Sequence, residues 1–290
     1  MLLPIGISEV NMEKALHTTK IDNLRYYNPD YHRIYFGPEF CQNLLPSKEN
    51  LEKAIDFANK KALKFTFVTP FVTELGLYRL NGLFQFLKTR LKDCEIVVND
   101  WGVLEVLSKR YRTFNLSIGR LLNKQNRDPS MERVLEKQIP SAARKKDGRI
   151  FILVHIPPGK RYQEGIRGCY LNSLSVQKFL SGHNIHRIEL NNLIQGLNLD
   201  NIRLKVSLYT PFVNIATTRF CPMESRFQKI YRINVCKREC QKYYYRLKNK
   251  NLPLPLYKYG NTIFYKNPLK LKSIVQPVID RIVFQPEPPF

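Results

Sequence analysis

The chain has 290 residues, 43% of them hydrophobic and 24% charged, a composition that allows a large core and excludes a disordered chain. No apolar run reaches the roughly 18 residues of a membrane-spanning helix, and the start, MLLPIGISEV, lacks the basic segment of a signal peptide. We therefore expect a cytoplasmic protein without a membrane span. Its six cysteines should be core thiols, metal ligands or reactive groups rather than disulfides.

The formal net charge is +23, and it is concentrated in two stretches. Residues 105–161 contain 14 bases and 5 acids, and residues 217–274 contain 14 bases and 2 acids, so these stretches carry +21 of the total. Such localised charge indicates an anionic partner: RNA, a phosphate, an anionic small molecule or an acidic protein. A solvated lysine-rich surface is the alternative that stays open.

The first half of the chain alternates short apolar strands with helical segments. The segment SKENLEKAIDFANKKA (47–62) predicts a helix with Ser47 as its N-cap. The strands read as continuous apolar runs, which is typical of buried parallel strands. Strands are predicted at 33–36, 64–68, 95–98 and 114–118, and helices at 47–62, 77–91 and 101–111.

A basic, polar insertion at about 120–161 interrupts this alternation, which then resumes. A helix is predicted at 172–183 with Asn172 as its N-cap, and strands at 187–190, 203–209, 213–220, 260–267 and 279–290. The pattern predicts an α/β fold, a TIM-like (β/α) barrel, and leaves open whether the barrel is complete or is incomplete or distorted. An open doubly wound sheet is the second candidate, but no glycine-rich phosphate turn supports it.

We expect a single domain over residues 1–290. Its barrel core spans 30–220, a cysteine-rich segment spans 221–245, and a C-terminal extension at 246–290 adds strands that pack on the barrel. The sequence contains no P-loop, dinucleotide, zincin or nucleophile-elbow motif, so it does not resemble the commonest nucleotide-dependent or hydrolytic enzymes.

Three cysteines with the spacing C-x14-C-x3-C, Cys221, Cys236 and Cys240, lie in a basic, polar segment. Lys237 and Arg238 stand between the last two, and cations of this kind favour thiolates. By spacing alone the group is either a soft-metal site or a set of incidental thiols.

A metal site would need a fourth ligand from elsewhere in the chain. Cys41 lies just beyond the carboxyl end of a predicted strand, where barrel sites are built, whereas Cys94 lies at the start of one. This argument selects Cys41 over Cys94. Cys169, in a loop before a helix, stays open as an alternative.

The segments IYFGPEFC, RFC and CKREC together resemble the collagenase-like peptidase superfamily over about residues 30–245. The layout is closest to the UbiU/UbiV branch of ubiquinone biosynthesis. That resemblance implies a [4Fe-4S] cluster held by Cys41, Cys221, Cys236 and Cys240.

The same resemblance implies an iron–sulfur enzyme or enzyme subunit that takes part in oxygen-independent hydroxylation of a small aromatic or quinone-type substrate. A UbiU-like partner in a heterodimer would go with it. Hydroxylation of bases in transfer or ribosomal RNA is an alternative, since other relatives do this. Peptidase activity, as the family label suggests, is a second alternative, for which the sequence shows no nucleophile and base.

Polar residues at the predicted strand ends are further site candidates. Glu39, Asn99 and Asp100 are candidate catalytic residues, although Asn99-Asp100 could equally cap the helix that begins at Trp101. Arg120, Lys124 and Asn191 are candidates for binding an anionic substrate, with solvated loop charge as the alternative for the two cations. The run QKYYYR (241–246) suits either base stacking or core packing.

Overall fold

The computed structural model describes residues 12–135, 141–154, 156–225, 235–250, 252–268 and 276–290. Within these ranges, no helix has both the length and the apolar character needed to cross a bilayer. The predictions that concern the first eleven residues lie outside the described residues.

Eight parallel strands close into a barrel, which confirms the predicted TIM-like fold and shows it to be complete. Their spatial order is β1-β14-β9-β8-β5-β4-β3-β2. Their bounds are β1 Glu13–Thr18, β2 Arg33–Phe36, β3 Lys64–Val68, β4 Glu95–Val98, β5 Asn115–Ile118, β8 Ile185–Asn191, β9 Lys205–Thr210 and β14 Ile279–Phe284.

Helices follow the strands along the outside of the barrel. Helix α1 begins after Ser47, whose hydroxyl accepts the backbone N–H of Asn50 at 3.2 Å, as the sequence predicts. Its buried residues recur at helical spacing and pack on the barrel. The helices are α1 Lys48–Lys60, α2 Glu74–Arg90, α3 Trp101–Arg110, α4 Met131–Leu135, α5 Lys160–Arg167 and α6 Leu174–Gly182.

Two boundary predictions are wrong. The barrel extends beyond the expected 30–220, because β1 and β14 pair with each other and close it. Asn172 does not cap α6, which begins at Leu174 after Ser173. The Asn172 side chain folds back instead, accepting the backbone N–H of Cys169 at 3.1 Å and donating to the carbonyl of Asn198.

The basic insertion is built from small elements beside the barrel. It contains α4, an antiparallel hairpin and α5. The hairpin strands are β6 Ser141–Arg144 and β7 Ile150–Leu153.

A second, four-stranded antiparallel sheet, here called the outer sheet, has the strand order β10-β13-β12-β11. It lies against the carboxyl end of the barrel, because Asn261 donates to the carbonyl of Phe40 at 2.8 Å and Asn267 to that of Asn192 at 2.8 Å. The predicted strand at 213–220 is therefore not a barrel strand. The strands of the outer sheet are β10 Phe212–Thr217, β11 Tyr245–Leu247, β12 Leu256–Tyr259 and β13 Thr262–Lys266.

The barrel interior is layered. An apolar and aromatic layer, made of Ala15, Tyr35, Val68, Val97, Tyr209 and Val283, fills the middle. An ionic layer closes the amino end, where Arg281 pairs with Glu95 and Glu13, and Arg187 with Asp280. The interior is thus a packed core, so a functional site would lie at one of its ends.

Candidate functional site at the carboxyl end of the barrel

The loop after β2 carries Cys41 to the carboxyl end of the barrel. Gly37 makes this turn with φ +129°, and a Cβ there would collide with the carbonyl oxygen of Val68, so only glycine fits. Cys41 is half-buried and precedes a single 3₁₀ turn at Gln42–Leu44. Burial, followed by the nearby Cys236 and Cys221, raises the pKa of Cys41 to about 11.

The other three cysteines come from segments attached to the outer sheet. Cys221 lies just after β10, at the start of a 3₁₀ turn over Pro222–Ser225. Cys240 is buried in the 3₁₀ turn Glu239–Gln241, and Cys236 lies just before it, half-buried.

These four thiols form one group, here called the cysteine site. Cys240 belongs to an apolar cluster with Phe40 and Phe264, and Cys41 and Cys221 pack against that cluster. The pKa of Cys240 is raised to about 12 by burial and then by the proximity of the other three thiols. The fold thus brings Cys41 close to Cys240, which comes 199 positions later in the chain.

Aromatic rings form the wall of the cysteine site. Phe40 stacks on Phe290 with ring centroids 5.9 Å apart and meets Phe264 edge-on at 5.3 Å. Gly260 lies behind Cys240 with φ +53°, and a Cβ there would lie 2.7 Å from the Phe290 ring and 3.2 Å from the Cβ of Cys240. The backbone therefore approaches the site as closely as glycine allows.

The residues present fit an iron–sulfur cluster in type and setting. Cluster irons are held by cysteine thiolates, and the aromatic cluster shields one side of the site. Among the described residues, no three His, Cys, Asp or Glu side chains converge on a single metal ion. A cluster does not need that arrangement, because each thiolate binds a different iron at the periphery of a larger core.

The remaining two cysteines lie apart from this group. Cys94 is fully buried at the start of β4, where its thiol donates to the carbonyl of Glu95. Cys169 packs against the main barrel core, with its sulfur 3.3 Å from Asn172 Oδ1. The structure therefore places Cys169, the alternative fourth ligand, away from the three late cysteines.

Arg120 lies directly beneath the cysteine site and is fully buried. Its five N–H groups all have protein acceptors: Glu39 at 2.8 and 2.5 Å, Asn191 and the carbonyl of Phe212 at 3.0 Å, and Gln285 at 3.1 Å. In this state Arg120 has no donor left for an anionic substrate. It instead ties the loop of Cys41 to the strand that leads to Cys221.

The other candidate residues at the strand ends also make structural bonds. Asn99 donates to the carbonyl of Thr69 and accepts the N–H of Leu121, both at 2.9 Å. Asp100 is the N-cap of α3, accepting the N–H groups of Gly102 and Val103. The capping interpretation of Asp100 is thus the one that the structure shows.

Asn191 and Lys124 differ in exposure. Asn191 is buried between Arg120 and Gln125, which accepts its side-chain N–H at 3.1 Å. Lys124 is exposed on the nearby loop. Of the three predicted anion-binding residues, only Lys124 could meet a ligand without rearrangement.

Sequence reasoning missed His17, which is buried in the barrel below Arg120. Its Nε2 bonds the carbonyl of Gly37 at 3.0 Å, and its Nδ1 bonds Gln285 at 2.8 Å. A carbonyl only accepts, so Nε2 carries the proton and Nδ1 accepts from the Gln285 amide. Burial lowers the pKa of His17 to about 4, which keeps it neutral. No motif pointed to it, because β1 itself was not predicted.

Two surface cavities in the described ranges lie away from the cysteine site. One, of about 1020 Å³, opens at the amino end of the barrel beside the ionic layer. The other, of about 770 Å³, lies beside α5. Neither is lined by a predicted site residue.

No protein-family model and no curated protein matches the chain. Among solved structures, the U32 peptidase Mk0906 has a TM-score of 0.43 and 8% identity, covering 98% of this chain and 97% of that one. A glycoside hydrolase family 18 N-acetylglucosaminidase from Paenibacillus barengoltzii has a TM-score of 0.34 and 8% identity, covering 94% of each chain. The chitinase TsES1 from Trichuris suis has a TM-score of 0.32 and 10% identity, covering 94% of this chain and 91% of that one. These values are too low to assign a family or an activity.

Proposed function

We propose that this chain is an iron–sulfur protein that holds a [4Fe-4S] cluster with Cys41, Cys221, Cys236 and Cys240. The observation that carries the proposal is their placement: thiols from separate segments lie close to one another beside one aromatic cluster at the carboxyl end of the barrel. Four incidental thiols would not need to meet there. The sequence motif that resembles cluster-binding proteins names the same four residues.

The chain's own residues would hold, shield and balance such a cluster. Phe40, Phe264 and Phe290 exclude water, and the exposed cations Lys237 and Arg238 offset the negative charge of bound thiolates. When bound, the cluster would supply one-electron transfer or an iron that binds an oxygen donor. Arg120 would keep the loop of Cys41 in register with the outer sheet.

We further propose that the protein is an enzyme or enzyme subunit for oxygen-independent hydroxylation of a small aromatic or quinone-type substrate. The support is the resemblance of the cysteine motif to the UbiU/UbiV branch, which would also bring a UbiU-like partner. Anaerobic assay of hydroxylation with and without such a partner would test this.

Hydroxylation of RNA bases is a second candidate, which the exposed basic and aromatic edge of the outer sheet favours. Peptidase activity has less support. None of the histidines in the described ranges bonds to a serine or cysteine; His17, for example, is held by Gly37 and Gln285.

Anaerobic purification with iron, sulfide and visible-absorption measurements tests the cluster. Wild type should contain about four iron and four sulfide ions per chain, Cys41→Ala should lose most of them, and Cys169→Ala should keep them. A colourless, iron-free wild type would refute the proposal. Loss of iron in Cys169→Ala but not in Cys41→Ala would move the fourth ligand.

A further inference from the structure

The edge of the outer sheet is an exposed surface that the cysteine site does not use. Every residue from Gln241 to Lys250 is exposed. The segment contains three consecutive tyrosines, which are 39–53% exposed, and four bases, Lys242, Arg246, Lys248 and Lys250. No acid occurs between Glu239 and Asp280, so the segment itself is purely basic.

Strand pairing shows which side chains share a face. Arg246 pairs with Tyr257, and Tyr257 in turn with Phe264, so these three lie on the same face of the sheet. Tyr259, two residues after Tyr257, lies on that face as well. One face therefore combines a cation with a row of aromatic rings.

Tyr244 lies flat on this face. Its ring stacks on Tyr259 with centroids 4.8 Å apart and planes 9° from parallel, and it is also close to Tyr257. Since Tyr244 is nevertheless 53% exposed, it presents a large part of a fixed aromatic surface to solvent. Such a ring is ready to stack with another flat ring at little cost in side-chain entropy.

The same row of rings leads inward to the cysteine site. Tyr259 contacts Phe290 and Phe264 at centroid distances of 6.3 and 6.4 Å, and Phe290 lies against the segment of Cys240 through Gly260. A ligand stacked on Tyr244 would thus lie beside the cysteine site.

Cations interleaved with exposed aromatic rings are the means by which proteins hold unpaired bases. The cations attract the phosphates and the rings stack with the bases, whatever their sequence. A duplex would hide its base faces from Tyr244. A lipid surface would favour insertion of Leu, Phe or Trp, whereas the large apolar side chains that this segment exposes are three tyrosines and one leucine, Leu247.

We propose that this edge of the outer sheet binds single-stranded nucleic acid, with Tyr244 stacking on a base and Arg246 and Lys248 contacting phosphates. This surface would be the RNA-docking site for hydroxylation of RNA bases, the second candidate function. To that extent the proposal rests on that function. Its test, however, does not require the cluster.

Fluorescence anisotropy with labelled oligouridylate and the matching DNA oligomer tests the proposal. Wild type should bind either strand, and the affinity should fall steeply as salt rises from about 50 to about 200 mM. Tyr244→Ala should weaken binding about tenfold, the loss of one stacked base, whereas Tyr244→Phe should retain it. Circular dichroism checks that each variant is folded.

A matched charge control separates this surface from net charge. The double variant Arg246→Glu/Lys248→Glu should lose most of the binding. The control Lys88→Glu/Lys92→Glu changes the net charge by the same amount, at exposed positions near the amino end of the barrel. This control should bind almost as well as wild type. Equal losses in both would overturn the proposal, as would preferential binding to anionic vesicles or to an acidic protein. Binding by cluster-free Cys41→Ala would support the surface independently of the cluster.

Discussion

Replacing Arg120 by methionine should destabilise the fold and loosen the cysteine site together. Arg120 is fully buried and makes a bidentate ion pair with Glu39, at 2.8 and 2.5 Å. Its other N–H groups bind Asn191, Gln285 and the carbonyl of Phe212. Methionine fills much of the same space without the charge, so the change isolates the electrostatic role.

The expected cost follows from what the substitution leaves behind. Glu39 is 0% exposed, so without Arg120 its carboxylate is a buried charge that has lost its ion-pair partner. Breaking such a pair from one side costs about 3–5 kcal/mol, a large part of the 5–15 kcal/mol that stabilises an ordinary domain. Replacing both partners, as in Arg120→Met/Glu39→Leu, removes the stranded charge and should recover about half of the loss or more.

Urea unfolding followed by circular dichroism gives the free energy of unfolding of each variant. The two single variants and the double variant form a cycle whose coupling energy should be at least about 2 kcal/mol. If Arg120→Met costs less than about 1 kcal/mol, or if the double variant is less stable than either single variant, the pair does not act as described. Iron content in the same preparations tells whether the cysteine site loosens with it.

Two further predictions concern a buried acid and a strained turn. Burial, then the nearby Glu95, raises the pKa of Glu189 to about 7, whereas an unfolded glutamate titrates near 4.3. Between these pH values the native state keeps a proton that the unfolded chain releases, so this group makes stability fall as pH rises from about 4.5 to 7. Glu189→Gln should remove this pH dependence of the free energy of unfolding, measured by urea unfolding at several pH values. An unchanged pH dependence in the variant would contradict the prediction. Gly37→Ala should lower the free energy of unfolding by more than about 2 kcal/mol, because of the φ of +129° and the collision with Val68. The control Gly82→Ala, in α2 with open space around it, should raise the free energy of unfolding by about 0.5–1 kcal/mol. Similar effects of both substitutions in thermal or urea unfolding would refute this prediction.

The strands that the sequence predicted best are those in which most side chains are apolar and buried. β2, β3 and β4 begin and end at the predicted residues, since both faces of these strands are buried. β1 was missed because its sequence, EKALHT, has only two consecutive apolar residues, Ala15 and Leu16. Glu13 faces the interior to pair with Arg281, and His17 to bond Gln285. A strand with so short an apolar run does not read as the wall of a barrel.

The cysteine site shows both what local sequence can place and what it cannot. The position of Cys41 after β2 follows from the rule that barrel sites form at strand carboxyl ends. Cys221 reaches the same place by another route, since β10 belongs to the outer sheet rather than to the barrel. The partner of Arg120 was beyond prediction, because Glu39 is 81 residues away and no local pattern links them.

The total charge is also a poor guide to where an anion could bind. In the stretch 105–161, Arg120 is buried in its ion pair, and Arg127 donates to the carbonyls of Arg120 and Asn123. These arginines hold loops and do not face solvent. The other described bases of that stretch, such as Lys109, Lys145 and Lys160, are exposed, as are the bases at 242–250 in the second stretch. The count of bases alone therefore does not separate arginines that hold loops from bases that face solvent.

The outer sheet connects the two proposals through one element. Cys41 belongs to a barrel loop, whereas Cys221 and Cys240 follow or precede strands of the outer sheet, so the four thiols meet only when that sheet is docked. A cluster that bound them would favour the docked state by mass action. The edge at Tyr244 and Arg246 lies on the sheet itself and does not need the docking bonds of Arg120. Arg120→Met should therefore lower iron content more than it lowers nucleic-acid binding, and an equal loss of both would show that the two surfaces are not separable.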